Sequence, residues 1–190
     1  MNNTDRKDLY FLVRIDDCYE IVEHHADEPE GRGGICFHVD DDSISDGDGF
    51  PVSYNEHDIQ IDEKEYLHVN NLFRKAGEAM SVPGDKASTP LDRPIAEGDY
   101  LYDGTDYVHI DSITTDGKYR GENFYYDSYG ASIYMETDDL DDVFDTDDSD
   151  AEFQLITEDA YREALNILRS AIAEITDYLD RLYKSKPHKN

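Results

Sequence analysis

A heptad pattern near the C-terminus constrains the fold more than any other feature of this sequence. Large apolar residues recur there at alternating intervals of four and three. We call this set the seam: Tyr161, Leu165, Leu168, Ile172, Ile175, Leu179 and Leu182. The spacing predicts an amphipathic helix over 157–186, and Thr157 stands at a suitable N-cap position. A helix of about 27 residues spans roughly 40 Å, which is longer than a single small barrel can cover.

Two interpretations of the seam are open at this point. The helix either packs along the protein's own sheet or mediates oligomerisation or docking to a partner. Residues 151–190 hold seven acids and six bases, whereas the first 150 residues hold 39 acids and 11 bases. A near-neutral segment in an acidic chain is expected to be shielded or to face an acidic partner. We therefore predict self-association or a protein contact through the seam.

Acidic residues dominate the rest of the chain. There are 46 Asp and Glu against 17 Lys and Arg, a formal net charge of −29; Asp outnumbers Glu by 31 to 15, and Trp is absent. This composition resembles that of proteins from salt-in halophiles such as haloarchaea and their viruses. Self-repulsion destabilises a compact state at such a charge, and salt relieves it by screening. Repulsion of phosphates disfavours direct nucleic-acid binding.

The N-terminal region, 1–80, is predicted to be β-rich. Short β-type runs cover 10–15 and 18–24 around an Asp16-Asp17 turn, and further runs cover 35–39, 52–54 and 58–61. The stretch 40–49 is acidic and glycine-rich, which is typical of a turn. Apolar residues then recur at helical spacing from Tyr66 to Ala76 behind a possible N-cap at Asp62, so a helix is expected near 63–79.

The middle of the chain is predicted to hold a small β-barrel. Residues 81–97 contain prolines and glycines without apolar periodicity, which is typical of a linker. Short runs separated by Asp103-Gly104, Asp116-Gly117 and 127–130 then fill 98–135. They favour a small antiparallel, SH3-like barrel or a curved sheet. Residues 136–156 are predicted to be an acidic connector. The whole chain is thus expected to be an α+β protein.

Tyrosines are concentrated in the predicted barrel. Eight of the 15 fall between residues 100 and 134. Adjacent strand residues point to opposite faces, so one face cannot bury both Tyr125 and Tyr126. Tyrosine combines a large contact area with few rotatable bonds and a polar tip, which suits recognition. Barrel packing and a binding face are both open interpretations, and Tyr125, Tyr126 and Tyr129 are the candidate binding residues.

Signals for metals and for disulfides are weak in this sequence. Cys18 and Cys36 lie in strand-like runs and are interpreted as buried thiols, with a cross-strand disulfide as the alternative. His24, His25 and His38 form a possible metal cluster with Asp40, but only one of two adjacent strand residues can point inward. The acidic runs at 40–42 and 145–150 fail the EF-hand spacing. We predict neither a metal nor another cofactor.

No catalytic motif appears in the sequence. It has no P-loop, Gly-x-Ser-x-Gly, His-Glu-x-x-His or Gly-x-Gly-x-x-Gly pattern. We therefore predict a non-enzymatic structural or adaptor protein of a halophilic archaeon or its virus. The alternatives are an acidic DNA-mimic inhibitor and a metal-dependent enzyme. No apolar window is long enough to span a membrane, and 1–8 lack the apolar core of a signal peptide, so a cytoplasmic or virion location is expected.

Overall fold

The computed structural model describes residues 9–24, 32–46, 51–53, 58–80, 88–127, 129–137 and 153–186. The described chain is a mixed α+β protein with antiparallel strands and two helices. It divides into two compact units. The first unit comprises Met1–Lys75 and Ser170–Asn190, and the second comprises Ala76–Arg169.

The described part of the first unit contains six short strands. They are β1 (Leu9–Ile15), β2 (Cys18–His24), β3 (Arg32–Val39), β4 (Ser43–Asp46), β5 (Pro51–Ser53) and β6 (Ile59–Ile61). Their order is β6-β1-β2-β3, and β4 and β5 pair with opposite ends of β3. The predicted hairpin is confirmed: Ile15 faces Cys18, and Asp16 has a φ of 52°, the left-handed conformation that two-residue turns require. The acidic stretch 40–49, predicted to be a turn, contains β4.

Helix α1 (Glu63–Met80) confirms the predicted mid-chain helix. Its start is a capping box, because the Glu65 amide donates to Asp62 Oδ1 at 2.8 Å and the Asp62 amide donates to Glu65 Oε2 at 2.8 Å. The helix packs on the sheet through stacked rings of Tyr66 and Tyr10, whose centroids lie 4.5 Å apart, and through an edge contact between Phe73 and Phe37.

Helix α2 (Glu158–Ser185) confirms the predicted C-terminal helix and its cap. The Ala160 amide donates to Thr157 Oγ1 at 3.2 Å. Residues up to Arg169 belong to the second unit and the remainder to the first. In the first unit the Tyr19 hydroxyl of β2 donates to Asp180 Oδ1 at 2.8 Å, and Lys186 pairs with Glu65 of α1 at 2.9 Å.

The second unit contains the other six described strands. They are β7 (Ser88–Pro90), β8 (Tyr100–Tyr102), β9 (Asp106–Ile113), β10 (Tyr119–Tyr126), β11 (Gly130–Thr137) and β12 (Gln154–Ile156). Their order is β11-β10-β9-β8-β12-β7. The Asp116-Gly117 turn between β9 and β10 is confirmed, with Gly117 at a φ of 89°. The described strands pair antiparallel, as predicted, but their path is open; of the two predicted forms, an SH3-like barrel or a curved sheet, the barrel is therefore not confirmed.

The described part of the predicted linker is built into the second unit. From Ser88 the chain forms β7 on β12, and Leu91 and Ile95 pack on the buried core of Leu101, Val108 and Ile110. Arg93 forms a two-bond ion pair with buried Asp99, at 2.8 and 2.6 Å. These hydrogen bonds hold the pKa of Asp99 below its usual range. From residue 88 onward the segment is therefore part of the folded second unit. Residues 81–87 lie outside the described residues.

The acidic connector predicted over 136–156 is described only at its two ends. Residues up to Thr137 complete β11, and Gln154–Ile156 form β12, which pairs with both β7 and β8. Residues 138–152 lie outside the described residues. Within the part of the chain that the structure describes, neither helix is both long enough and apolar enough to cross a membrane.

Candidate interaction surface

The hairpin of β10 and β11 brings Tyr125 and Tyr134 together. Tyr125 pairs with Ser132, and Asn123 pairs with Tyr134, so these four side chains share one face of the sheet. The rings of Tyr125 and Tyr134 are stacked, with centroids 6.3 Å apart and an angle of 20° between their planes. Tyr134 is 49% exposed, whereas Tyr125 is half-buried, and burial raises the pKa of Tyr125.

The turn of this hairpin presents a third tyrosine. Asp127 Oδ1 accepts hydrogen bonds from the amides of Tyr129 and Gly130, each at 2.7 Å, and the Asp127 amide donates to the Gly130 carbonyl at 2.9 Å. This Asx turn fixes the backbone beneath Tyr129, whose side chain is 64% exposed. We call Tyr125, Tyr129 and Tyr134 the tyrosine face.

Tyr126, the remaining predicted binding tyrosine, points to the other side of the sheet. Its ring lies so close to the backbone of Gly77 in α1 that a Cβ added to this glycine would overlap the Tyr126 ring. Of the predicted set Tyr125, Tyr126 and Tyr129, Tyr126 therefore lies on the opposite side of the sheet from Tyr125. Tyr126 is a packing residue. Tyr134 is absent from the predicted set, because its place beside Tyr125 depends on the register between β10 and β11, which the sequence alone does not determine.

Other tyrosines of the second unit form an aromatic core on the side of the sheet that holds Tyr126. Phe124 of β10 stacks on Tyr107 of β9 at 4.6 Å and meets Tyr161 of α2 at 5.1 Å. The buried Tyr107 hydroxyl donates to the Met80 carbonyl at 3.0 Å. Burial raises the pKa of both Tyr107 and Tyr161. Tyrosine clustering in this unit therefore reflects both core packing and an exposed face.

Carboxylates lie next to the tyrosine face. Asp106 of β9 is directly opposite Tyr125 of β10 and shares its side of the sheet. Burial raises the pKa of Asp106 to about 6, and repulsion from Asp103 and Asp127 adds to the shift. Asp103 Oδ1 accepts the amides of Thr105 and Asp106 at 2.9 and 2.7 Å. The surface thus combines exposed rings with a group of acids.

The seam is buried within the chain itself. All seven of its side chains, from Tyr161 to Leu182, are at most 8% exposed. The predicted interaction through the seam would need these side chains on the surface, and this conformation offers none of them to another chain. Packing along the protein's own structure, the other interpretation from sequence, accounts for the apolar stripe.

The candidate cysteines and histidines do not converge. Cys18 and Cys36 are half-buried thiols that are not bonded to each other, so the alternative of a disulfide is not realised. His38 lies 3.5 Å from Glu20 and 3.9 Å from Asp40. Within the described ranges, no group of three or more His, Cys, Asp and Glu side chains is arranged to hold a metal. His25 and the run 145–150 lie outside those ranges.

Comparison with known proteins found no relative of this chain. No family model, no curated protein and no solved structure matches this chain.

Proposed function

We propose that this chain is a non-enzymatic structural or adaptor protein of a halophilic archaeon or its virus, acting in the cytoplasm or in the virion. It works by protein–protein assembly through the tyrosine face. The observation that carries this proposal is the exposure of Tyr129 and Tyr134 on one hairpin whose turn is fixed by hydrogen bonds. The acidic composition supports the halophilic origin.

The chemistry of the tyrosine face suits protein recognition. A tyrosine side chain has two main torsions, so ordering it costs less entropy than ordering a long flexible side chain. The Asx turn and the Tyr125–Tyr134 stack restrict the face before any partner arrives, which lowers the cost of binding further. A phenol hydroxyl also keeps its hydration while the face is unoccupied.

Site-specific photo-crosslinking tests the proposal. The photoreactive residue p-benzoylphenylalanine is placed at Tyr129 or at Tyr134, and the protein is irradiated in an extract of its source organism at about 2 M KCl. Leu67 of α1, another exposed large apolar residue, is the control position. We expect one protein to be captured from both hairpin positions and not from position 67.

The outcomes separate the candidate functions. No adduct, or the same adducts from all three positions, contradicts assembly through the tyrosine face. A captured nucleic-acid-binding enzyme whose yield falls steeply between about 0.2 and 2 M KCl supports the DNA-mimic alternative instead, because phosphate-like contacts are salt-sensitive. Capture of a partner that persists across this range supports the assembly proposal.

A further inference from the structure

We propose that the tyrosine face takes an arginine-bearing segment of a protein partner, with the guanidinium stacked on a tyrosine ring and paired with the neighbouring carboxylates. This inference rests on the proposed function and specifies the chemistry of its partner. Two features carry it: the stacked pair of half-buried Tyr125 and exposed Tyr134, and the acids that lie near Tyr125.

The carboxylate of Asp106 has no hydrogen-bond partner among the described residues, although it is half-buried beside Tyr125. A carboxylate taken partly out of water is costly unless it is paired. A cation placed over Tyr125 would supply the missing partner for Asp106.

Two further acids have acceptor capacity left. Described residues donate only to Oδ1 of Asp103 and of Asp127, in the turns that these two residues organise. Among the described residues, the neighbours that raise the pKa of Asp106 and of Tyr125 are carboxylates and the phenol of Tyr134. The face therefore has strong charge complementarity to a basic ligand and none to an acidic one.

Arginine fits this combination better than lysine does. Its planar guanidinium stacks on aromatic rings and forms forked hydrogen bonds with carboxylates, and it is more weakly hydrated than an ammonium group. The stacking contribution also survives in concentrated salt, where the Debye length near 3 Å at 1 M screens exposed ion pairs. A recognition site built only from carboxylates would lose most of its attraction under such conditions.

Peptide binding tests the inference directly. The probes are fluorescein-labelled Gly/Ser nonapeptides that carry two arginines, two lysines or two citrullines, titrated with the full-length protein at about 0.5 and 2 M KCl. Citrulline keeps the planar shape of the side chain and removes its charge. We expect the arginine peptide to bind roughly 5-fold or more tightly than the citrulline peptide, with the lysine peptide between them.

Variants locate the binding to this face. Tyr134→Ser and Asp106→Asn should each weaken the arginine peptide by about 3- to 10-fold, whereas Tyr134→Phe should bind as the parent does because it keeps the ring. Glu163→Gln is the charge-matched control, since Glu163 is exposed on α2, which packs on the opposite side of this sheet. Circular dichroism confirms that each variant is folded.

Three results would overturn the inference. They are equal affinity for the arginine and citrulline peptides, equal loss in Glu163→Gln and Asp106→Asn, and a homodimer in the parent that Tyr134→Ser dissolves without any peptide binding. Arginine recognition can be refuted while assembly through the tyrosine face still stands. A crosslinked partner whose contact segment contains no arginine leaves the assembly function standing and removes only the arginine.

Discussion

Replacing Ile175 with alanine distinguishes a seam that is internal core from one that is an interface between chains. Ile175 is 0% exposed in the single chain and lies on the part of α2 that belongs to the first unit. Ile175→Ala removes three carbon atoms, worth about 0.8 kcal/mol each in transfer free energy. The cavity left behind raises the total loss of unfolding free energy to about 2–5 kcal/mol.

Urea denaturation followed by circular dichroism at 222 nm measures this loss. Urea is the appropriate denaturant because guanidinium chloride is a salt and would itself screen the net charge of −29. The experiment is run at about 2 M KCl with protein at roughly 2 and 200 μM. Glu174→Ala is the control on the same helix; its side chain is exposed, and the change should stay within about 0.5 kcal/mol.

If the seam is internal core, the urea midpoints of the parent and of Ile175→Ala should not depend on protein concentration. An interface predicts the opposite, because association stabilises the folded state by mass action. A midpoint that rises with concentration in the parent, together with an effect of Ile175→Ala that vanishes at about 2 μM, would refute the assignment of the seam to the chain's own core.

Three other perturbations have expected outcomes. The melting temperature should rise between about 0.1 and 1 M KCl, as the Debye length falls from roughly 10 to 3 Å; a flat or falling curve contradicts the halophilic interpretation. Asp106→Asn should stabilise the protein by about 1–2 kcal/mol at pH 7.5, after a discount for partial exposure. The folded-state pKa of about 6 lies above the ordinary value of 3.8; stability therefore falls as pH rises through that window, and urea titrations should show the variant's advantage disappear below about pH 4. Gly77→Ala should cost about 1–3 kcal/mol because the new Cβ overlaps the Tyr126 ring, but in a Tyr126→Ala background thermal melts should show it stabilising by up to about 1 kcal/mol through helix propensity.

Sequence patterns predicted the elements that depend on local signals. Both helices follow from apolar periodicity and from the caps at Asp62 and Thr157, which form the expected hydrogen bonds. The long strands follow from β-type runs bounded by turn residues. The missed strands β4, β7 and β12 have three or four residues each and are defined by their pairing partners. Seven residues of chain separate β7 from the end of α1, and nothing in the sequence of β7 marks it as a strand.

The candidate surface was predictable in part. The excess of tyrosine and the alternation of strand residues show that some of these side chains must be exposed. Only the register of β10 with β11 and with β9 shows which ones: Tyr134 joins Tyr125, Asp106 lies beside it, and Tyr126 packs on Gly77. Register across strands depends on long-range pairing, so a single sequence does not determine it.

The near-neutral charge of the C-terminal segment has a cause inside the chain. On α2, Arg162 pairs with Glu158 and Lys184 pairs with Asp180, while Lys186 reaches Glu65 of α1. Three of the six bases of residues 151–190 are thus paired within the chain, so the balanced charge count of this segment does not require an acidic partner. Charge counting therefore does not locate an interface in this protein. The solvent exposure of apolar side chains is the better guide.

Among the exposed apolar side chains, those of the β10–β11 hairpin are the best candidates for an interaction site. Leu9, Ile15 and Leu67 are also exposed in the described chain, but Leu9 and Ile15 stand at opposite ends of β1 and Leu67 is on a helix. Isolated apolar residues on a surface are ordinary and need no partner. Tyr129 and Tyr134, in contrast, lie on one hairpin with the Tyr134 ring stacked on Tyr125. Opposite Tyr125 lies Asp106, whose carboxylate receives no hydrogen bond from the described residues. We therefore propose the tyrosine face as the recognition surface, because rings and carboxylates combine there and the longest apolar stripe of the chain, the seam, is already buried.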